Sequence, residues 1–212
     1  FIQSEIFSPL PFRIKPPKRI TNAKSLDLIV SELNELHTQK AFKFEIIFVN
    51  DSPFFIETGV FLERLKKKNT NIKVLTLRKN QGQHIATLVG LSQASGDYII
   101  TMDDDLQHPV QEIPKMIDAM HSNSHIEGIF AIPNYRERKH SLWRSAGSYI
   151  FKKIDLFFLE KPKGLVLSSF RIITKDLANA TVNSYNAMPA VSSLMLNCSN
   201  NLKNVKVQHN SR

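Results

Sequence analysis

Between residues 22 and 103, short apolar runs alternate with longer amphipathic stretches, and this alternation limits the fold more than any other feature. A helix is predicted from about residue 22 by apolar residues spaced three or four apart: Leu26, Ile29, Val30, Leu33 and Leu36. Strands are predicted at 44–49, 72–77 and 98–102, with further helices at 57–68 and 83–94. Because strands that alternate with helices form βαβ units, we expect an α/β fold with a largely parallel sheet.

The two ends of the chain follow this pattern less closely. We expect residues 1–20, which contain four prolines, to be irregular. After Pro109 we predict helices at 111–121 and 141–158, helical segments from residues 175 and 189, and strands at 128–132, 167–173 and 205–208. The second half therefore adds mixed elements to the same sheet, and we interpret residues 1–212 as a single domain.

The composition is that of a soluble globular chain with a basic surface. Apolar residues make up 42% of the 212 residues and charged residues 22%, which is enough for one ordinary core. The single cysteine, Cys198, excludes an internal disulfide framework. Lysine and arginine outnumber aspartate and glutamate by 28 to 19, and a net charge of +9 attracts nucleic acid, anionic lipid or phosphorylated small molecules. The chain begins with Phe1 rather than Met, so we expect it to be a fragment of a longer protein.

Two acidic turns follow predicted strands: Asn50-Asp51 and Asp103-Asp104-Asp105. Ligands of an open parallel sheet bind at the carboxyl ends of its strands. In extended chain, Asp103 and Asp105 point the same way, so together they can hold one hard cation such as Mg²⁺ or Mn²⁺. The alternative is an acidic loop whose carboxylates cap the next helix, and the triplet alone does not choose between the two.

The segment from Asn80 to His84 places a turn and a helix start beside the predicted sheet. Backbone amides at a helix N-terminus bind anions, so Asn80 and Gly82 are candidates for a phosphate-binding turn. The structural alternative is a turn followed by a well-packed helix, and on this segment alone that alternative is the better one.

The stretch NQGQHIATLVGLSQASGDYIITMDDDLQHPVQEIPKMI closely resembles the core of family 2 glycosyltransferases. Within that family it is most similar to the polyprenyl-phosphate branch, whose members carry Asp-x-Asp-Leu-Gln after a strand and a proline soon afterwards. This motif is matched in register by Asp103, Asp105, Leu106, Gln107 and Pro109. The turn EIIFVNDSP resembles the Val-Asp-Asp-Gly-Ser turn of the family, with Asn50 replacing one aspartate.

The resemblance implies a GT-A-like nucleotide-binding fold, in which a mostly parallel mixed sheet is flanked by helices. It implies a donor half at 21–110, an acceptor half at 111–212, and catalysis by Asp103 and Asp105 as ligands of Mg²⁺ or Mn²⁺, with Gln107 nearby. The residues expected to contact the nucleotide-sugar are Asn50, Asp51, Asn80, Gly82 and Asp104. Those expected near the acceptor or its phosphate are Arg144, Ser148, Ser169 and Arg171, although Arg144 and Arg171 could equally be surface salt-bridge partners.

One departure from the family lies at the amino end. Members begin with a strand that ends in a Pro-x-Tyr-Asn-Glu type motif beside the nucleotide, whereas this chain has only a proline-rich stretch and Thr21-Asn22-Ala23-Lys24 before Ser25. The strand is therefore expected to be degenerate or missing.

The function implied is metal-dependent transfer of a sugar from a UDP- or GDP-linked donor to a polyprenyl phosphate, in cell-envelope glycan synthesis at the cytoplasmic face of the membrane. The predicted helix at 141–158 could lie on a membrane surface or pack on the sheet. A transferase that extends a lipopolysaccharide or capsule glycan at a sugar hydroxyl would share the metal chemistry. A nucleotidyltransferase would require a Gly-rich basic loop after its first strand, which the sequence lacks. A nucleic-acid-binding module would explain the charge but not the acidic triplet, so we expect no nucleic-acid partner.

Overall fold

The computed structural model describes residues 10–15, 23–40, 43–134, 162, 164–185 and 190–210. Its strands are β1 (Leu10–Lys15), β2 (Phe44–Asn50), β3 (Ile72–Thr76), β4 (Tyr98–Asp103), β5 (Gly128–Pro133), β6 (Arg171–Thr174) and β7 (Leu202–Val207). Its helices are α1 (Ala23–Lys40), α2 (Ile56–Lys68), α3 (Gln83–Gln93), α4 (Ile113–His121), α5 (Lys175–Asn183) and α6 (Val191–Cys198), with a 3-10 turn at Val110–Glu112. The five elements predicted between residues 44 and 102 are thus confirmed within two residues at each end.

All seven strands form one sheet in the order β3-β2-β1-β4-β6-β5-β7. The neighbours β3, β2, β1 and β4 are parallel, and so are β5 and β7. Strand β6 runs antiparallel to both β4 and β5, which makes the sheet mixed but mostly parallel, as expected. The predicted strand at 167–173 begins only at Arg171, because residues before it turn away to reach the acidic triplet.

The prediction that residues 1–20 are irregular is wrong for residues 10–15. Strand β1 lies between β2 and β4, where Phe12 pairs with Ile46 on one side and Ile100 on the other. Pro11 lies at the start of the strand, before the pairing with β4 begins, and a proline is tolerated at such a position. Partners distant in sequence therefore impose extended structure on a segment whose own residues indicate a loop.

The core lies on both faces of the sheet. Strand β2 is buried along its whole length, and its side chains alternate between the two sides. Ile46 and Phe48 pack with α1, α2 and α4, whereas Ile47 and Val49 pack with α3, α5 and α6. A parallel strand covered on both faces is rich in apolar residues, and β2 contains the uninterrupted run Ile46 to Val49, which makes its sequence easy to recognise.

One predicted helix falls outside what the structure describes. The predicted amphipathic helix at 141–158 lies outside the described residues, so its proposed position on a membrane stays a prediction. Within the described ranges, none of the helices combines the length and the apolar character that crossing a bilayer requires.

Candidate nucleotide and metal site

The two acidic turns lie at the same edge of the sheet, as the sequence predicts. Strands β2 and β4 both run parallel to β1, which separates them, so their carboxyl ends point the same way. Two strand spacings place these ends roughly 10 Å apart. Asp51 and Asp103, at the ends of the two strands, therefore border the same region at this edge of the sheet.

The carboxylate of Asp51 holds the turn that follows β3. Its Oδ1 accepts the Gln81 N–H at 2.6 Å, and its Oδ2 accepts the Gly82 N–H at 2.8 Å. Asn80 completes the junction by donating its side-chain amide to the Asp51 carbonyl at 2.9 Å. Gly82 has a φ of 84°, which favours glycine, and it brings the chain into α3. Asp51, Asn80 and Gly82 are thus brought together, but the carboxylate is directed at protein amides.

Asn50 shapes the turn from beneath. Its side chain is 1% exposed, and its Oδ1 accepts the Ser52 N–H at 3.0 Å. Its carbonyl accepts the Leu77 N–H at 2.9 Å, which joins the ends of β2 and β3. A neutral amide tolerates this burial far better than a carboxylate would, so the replacement of a family aspartate by Asn50 agrees with its position.

The first residue of α3 links this turn to the acidic triplet. Gln83 donates its side-chain amide to Asp103 Oδ1 at 3.4 Å. The turn fixed by Asp51 and the carboxylate of Asp103 are therefore connected through one side chain.

A chain of hydrogen bonds supports Asp103 from β6. Ser169 donates its hydroxyl to Asp103 Oδ2 at 2.7 Å. The Ser169 carbonyl accepts the Thr101 hydroxyl at 2.6 Å, and Thr101 Oγ1 in turn accepts Arg171 Nε at 3.1 Å. Arg171 also donates Nη1 to the Ser192 hydroxyl on α6 at 2.7 Å. Ser169 and Arg171, expected near the acceptor, thus lie in the network that orients Asp103.

Arg171 is buried, so the alternative that it forms a surface salt bridge is wrong. Its side chain is 5% exposed and its guanidinium lies 5.8 Å from the centre of the Phe130 ring. Burial lowers its pKa to about 10, and the negative charge of Asp103 opposes this shift. The ion pairs found among the described residues do not include Arg171. Its buried positive charge is close enough to Asp103 for the two charges to interact.

His108 is a buried histidine in the acidic loop. Its ring stacks on Phe170 at 4.8 Å and meets His209 edge-on at 5.3 Å. Nδ1 accepts the Asp103 N–H at 3.0 Å, so the neutral ring carries its proton on Nε2. Burial lowers the pKa of His108, while Asp103 and Asp105 act in the opposite direction.

The loop after Asp105 has an unusual backbone conformation. Leu106 has a φ of 61°, which costs about 1–3 kcal/mol for a residue with a side chain. Gln107 donates its N–H to Asp105 Oδ1 at 3.2 Å. Asn210, just after β7, donates its side-chain amide to the Leu106 carbonyl at 2.9 Å and its N–H to the Gln107 carbonyl at 3.2 Å. The end of the described chain therefore holds the loop in its strained form.

These donors fit a magnesium or manganese ion. Within the described ranges no group of three or more His, Cys, Asp or Glu side chains could hold a metal, so an all-protein cage is not formed there. Mg²⁺ commonly binds one or two carboxylates and takes its other ligands from phosphates and water. Each carboxylate oxygen has two lone pairs, so the hydrogen bonds at Asp103 leave room for an ion. Asp105 is exposed, and Asp104 and Gln107 are half-buried beside it.

The remaining predicted site residues are Arg144 and Ser148, which lie outside the described residues. Sequence reasoning missed Thr101, His108 and Asn210. A histidine directly after the Asp-Leu-Gln motif was a visible signal for His108. Nothing in the local sequence indicates that Asn210 reaches back to the acidic loop.

Comparisons with known proteins agree with this geometry. The family model described as Glycosyl transferase family 2 matches residues 22–181. An undecaprenyl-phosphate 4-deoxy-4-formamido-L-arabinose transferase from Aeromonas hydrophila is 27% identical over 146 residues, which cover 69% of this chain and 42% of the relative. This chain spans about two fifths of the length of the curated relatives it matches.

Solved structures show the same fold at low sequence identity. Mannosyl-3-phosphoglycerate synthase from Rubrobacter xylanophilus superposes with a TM-score of 0.68 at 12% identity, over 97% of this chain and 67% of that one. Glucosyl-3-phosphoglycerate synthase from Mycobacterium tuberculosis, solved with Mn²⁺, UDP-glucose and phosphoglyceric acid, gives a TM-score of 0.59 at 13% identity, over 97% of this chain and 72% of that one. The fold is therefore that of the GT-A glycosyltransferases.

Proposed function

Because this chain belongs to glycosyl transferase family 2, we propose that it transfers a sugar from a UDP- or GDP-linked donor to a polyprenyl phosphate. The observation that carries the proposal is the support of Asp103 by Ser169, Gln83 and His108 at the edge where parallel strands end. Ser169 and Gln83 thus bond to the Asp103 carboxylate, and His108 accepts the N–H of the same residue, where a ligand of such a sheet binds. Residues 21–110 form the donor half of the domain, and residues 111–212 the acceptor half.

The donor lies against the turns after β2 and β3. Asp51 acts by fixing the turn formed by Asn80, Gln81 and Gly82, and this turn lines the nucleotide pocket. Asn50, expected from sequence to contact the nucleotide, is buried and supports the neighbouring turn instead. The amides of Gln81 and Gly82 are already engaged by Asp51, so they are not the donors that bind the diphosphate. The phosphates therefore lie closer to Asp103, with Asp104 beside them.

Asp103 and Asp105 hold a divalent cation, and Gln107 contributes its side-chain amide. When bound, Mg²⁺ or Mn²⁺ neutralises charge that develops on the departing nucleoside diphosphate. Ser169 orients the Asp103 carboxylate toward the ion. Arg171 bonds to the Thr101 hydroxyl, which donates to the Ser169 carbonyl, and so helps to hold Ser169 in place.

With a lipid phosphate as acceptor, the reaction needs no strong general base. A phosphate oxygen is already anionic, so it attacks the anomeric carbon without losing a proton first. The imidazole of His108 is buried, and its Nδ1 accepts the Asp103 N–H. The name of the Aeromonas hydrophila relative includes undecaprenyl phosphate, which supports this class of acceptor. With such an acceptor, we propose that the protein works at the cytoplasmic face of the membrane.

The donor part of the proposal is tested by thermal unfolding with UDP or GDP, with and without Mn²⁺. We expect a stabilisation that requires both the nucleotide and the ion. The absence of any shift with either nucleotide would overturn the proposal.

The acceptor part is tested by supplying a polyprenyl phosphate and, separately, a saccharide to the enzyme with labelled donors. Transfer to the lipid phosphate alone is expected. Full activity on the saccharide alone would instead assign the enzyme to the group that extends glycans at a sugar hydroxyl.

A further inference from the structure

Four apolar side chains are exposed in the turn that joins β2 to α2 and in the first turns of α2. Phe54 is 81% exposed, Phe55 46%, Ile56 77% and Val60 65%. The Phe55 N–H bonds to the Ser52 carbonyl at 3.1 Å, which closes the turn that presents them. Ile56 and Val60 are four residues apart in α2 and therefore share one helix face. We call these four residues the apolar tip. Monomeric proteins seldom expose such a cluster without a use for it.

Basic side chains flank the apolar tip on its own edge of the sheet. Asn50 is in register with Thr76, so the segment after β3 runs beside the turn after β2. Arg78 and Lys79 lie in this segment, both exposed. Against these two positive charges, residues 53–60 contain a single acidic residue, Glu57. Apolar side chains flanked by Lys and Arg are typical of surfaces that enter the interface of an anionic bilayer.

The apolar tip lies close to the proposed metal site. Both follow parallel strands at one edge, with only β1 between β2 and β4. A bilayer in contact with the apolar tip would therefore lie beside the edge that carries Asp103 and Asp105. A soluble substrate gains nothing from this arrangement, whereas a phosphate at the membrane surface is brought to the site.

We propose that the apolar tip, flanked by Arg78 and Lys79, inserts into the headgroup region of an anionic lipid bilayer and presents the catalytic edge to it. The choice of a bilayer as partner rests on the proposed lipid-phosphate acceptor. The apolar tip does not include residues 141–158, for which membrane contact was predicted from the sequence.

The test is sedimentation of this chain with vesicles of phosphatidylcholine alone and of phosphatidylcholine mixed equally with phosphatidylglycerol. We expect binding to the anionic vesicles. The double variant Phe54→Ser/Ile56→Ser should weaken it by about tenfold or more, since two large apolar side chains no longer leave water. The matched control Leu28→Ser/Val166→Ser removes two partly exposed apolar side chains elsewhere and should bind as the unmodified chain does.

A second variant tests the charges. Arg78→Gln/Lys79→Gln should lower binding to the anionic vesicles by roughly fivefold per charge and leave binding to neutral vesicles unchanged. Equal binding by the Phe54→Ser/Ile56→Ser variant and its control would overturn the proposal. So would light scattering that shows a dimer which only this variant disrupts, because the apolar tip would then contact a second copy.

Failure of this inference is distinguishable from failure of the proposed function. Nucleotide binding with Mn²⁺ is measured by thermal unfolding without vesicles, and all three double variants should retain it. Loss of vesicle binding with an intact nucleotide response therefore concerns the docking surface alone.

Discussion

Replacing Ser169 with alanine should weaken binding of the divalent ion without unfolding the protein. The Ser169 hydroxyl donates to Asp103 Oδ2 at 2.7 Å, and nothing else in the variant is altered. A hydrogen bond to a charged group contributes about 1.5–3 kcal/mol. Because Asp103 is half-buried, the lower value applies, and about 1.5 kcal/mol corresponds to roughly tenfold weaker binding. Loss of a hydrogen-bond partner of a metal ligand typically has an effect of this size.

The measurement is titration with Mn²⁺ in the presence of UDP or GDP, followed by the electron paramagnetic resonance signal of the free ion. Ser169→Thr keeps a hydroxyl and should restore much of the affinity. The neighbour Ser168 provides a matched control, because its Oγ accepts the Phe170 N–H and does not contact Asp103. Ser168→Ala should therefore bind Mn²⁺ as the unmodified chain does.

Two results would refute this reasoning. If Ser169→Ala and Ser168→Ala bind Mn²⁺ equally well, the hydroxyl of Ser169 does not orient a metal ligand. If Ser169→Ala loses affinity but also melts many degrees lower, the loss reflects the fold. A shift in Tm of about 2–4 °C per kcal/mol is the scale for a chain of this length.

Four further outcomes are expected. Asp103→Asn should abolish the Mn²⁺-dependent thermal shift with a nucleotide while the circular dichroism spectrum is retained; a normal shift would exclude Asp103 as a ligand. Asp51→Asn should reduce the free energy of unfolding by about 1–2 kcal/mol in urea melts, because an amide N–H₂ would face the N–H of Gln81 or Gly82, whereas Asp118→Asn on the exposed face of α4 should be neutral. Gly128→Ala should cost about 1–3 kcal/mol by overpacking, since its Cβ would lie 2.8 Å from a Leu202 methyl; an unchanged Tm would contradict the packing of β5 on β7. Burial lowers the pKa of His108, so as the pH falls below the ordinary value of 6.5 the unfolded chain takes up a proton before the folded chain does, and the free energy of unfolding decreases toward acid. In the His108→Gln variant the free energy of unfolding should depend less on pH in this range. Parallel pH curves for the variant and the unmodified chain would count against a buried neutral ring.

The donor half of the fold was predictable because its signals are local. Strand β2 has seven buried residues in a row, and the helix α1 shows its apolar spacing directly. The motif from Asp103 to Pro109 then identified the family from consecutive residues. Strand β1 could not be predicted in this way, since its extended form comes from pairing with both β2 and β4, and these lie far along the chain.

The sequence indicated residues that lie at the acidic edge of the sheet, but not the hydrogen bonds that connect them. The sequence indicated Asp51, Asn80 and Gly82 separately, and the structure joins them through two backbone amides and a carbonyl. Arg171 was expected near a phosphate or at the surface, yet it is buried behind Asp103. Its burial depends on Thr101 and Ser192, which come from other elements, so no local pattern reveals it.

The central place of β1 has a consequence for how the chain folds. Phe12 has to pair with both Ile46 and Ile100, so the pairing of β1 is completed only after β4 has formed. Contacts between such distant residues slow folding, and until they form, the edges of β2 and β4 offer unpaired backbone groups to other chains. Deleting residues 1–15 would leave the backbone groups at the edges of β2 and β4 permanently unpaired. We expect such a variant to aggregate before any loss of catalysis is detected.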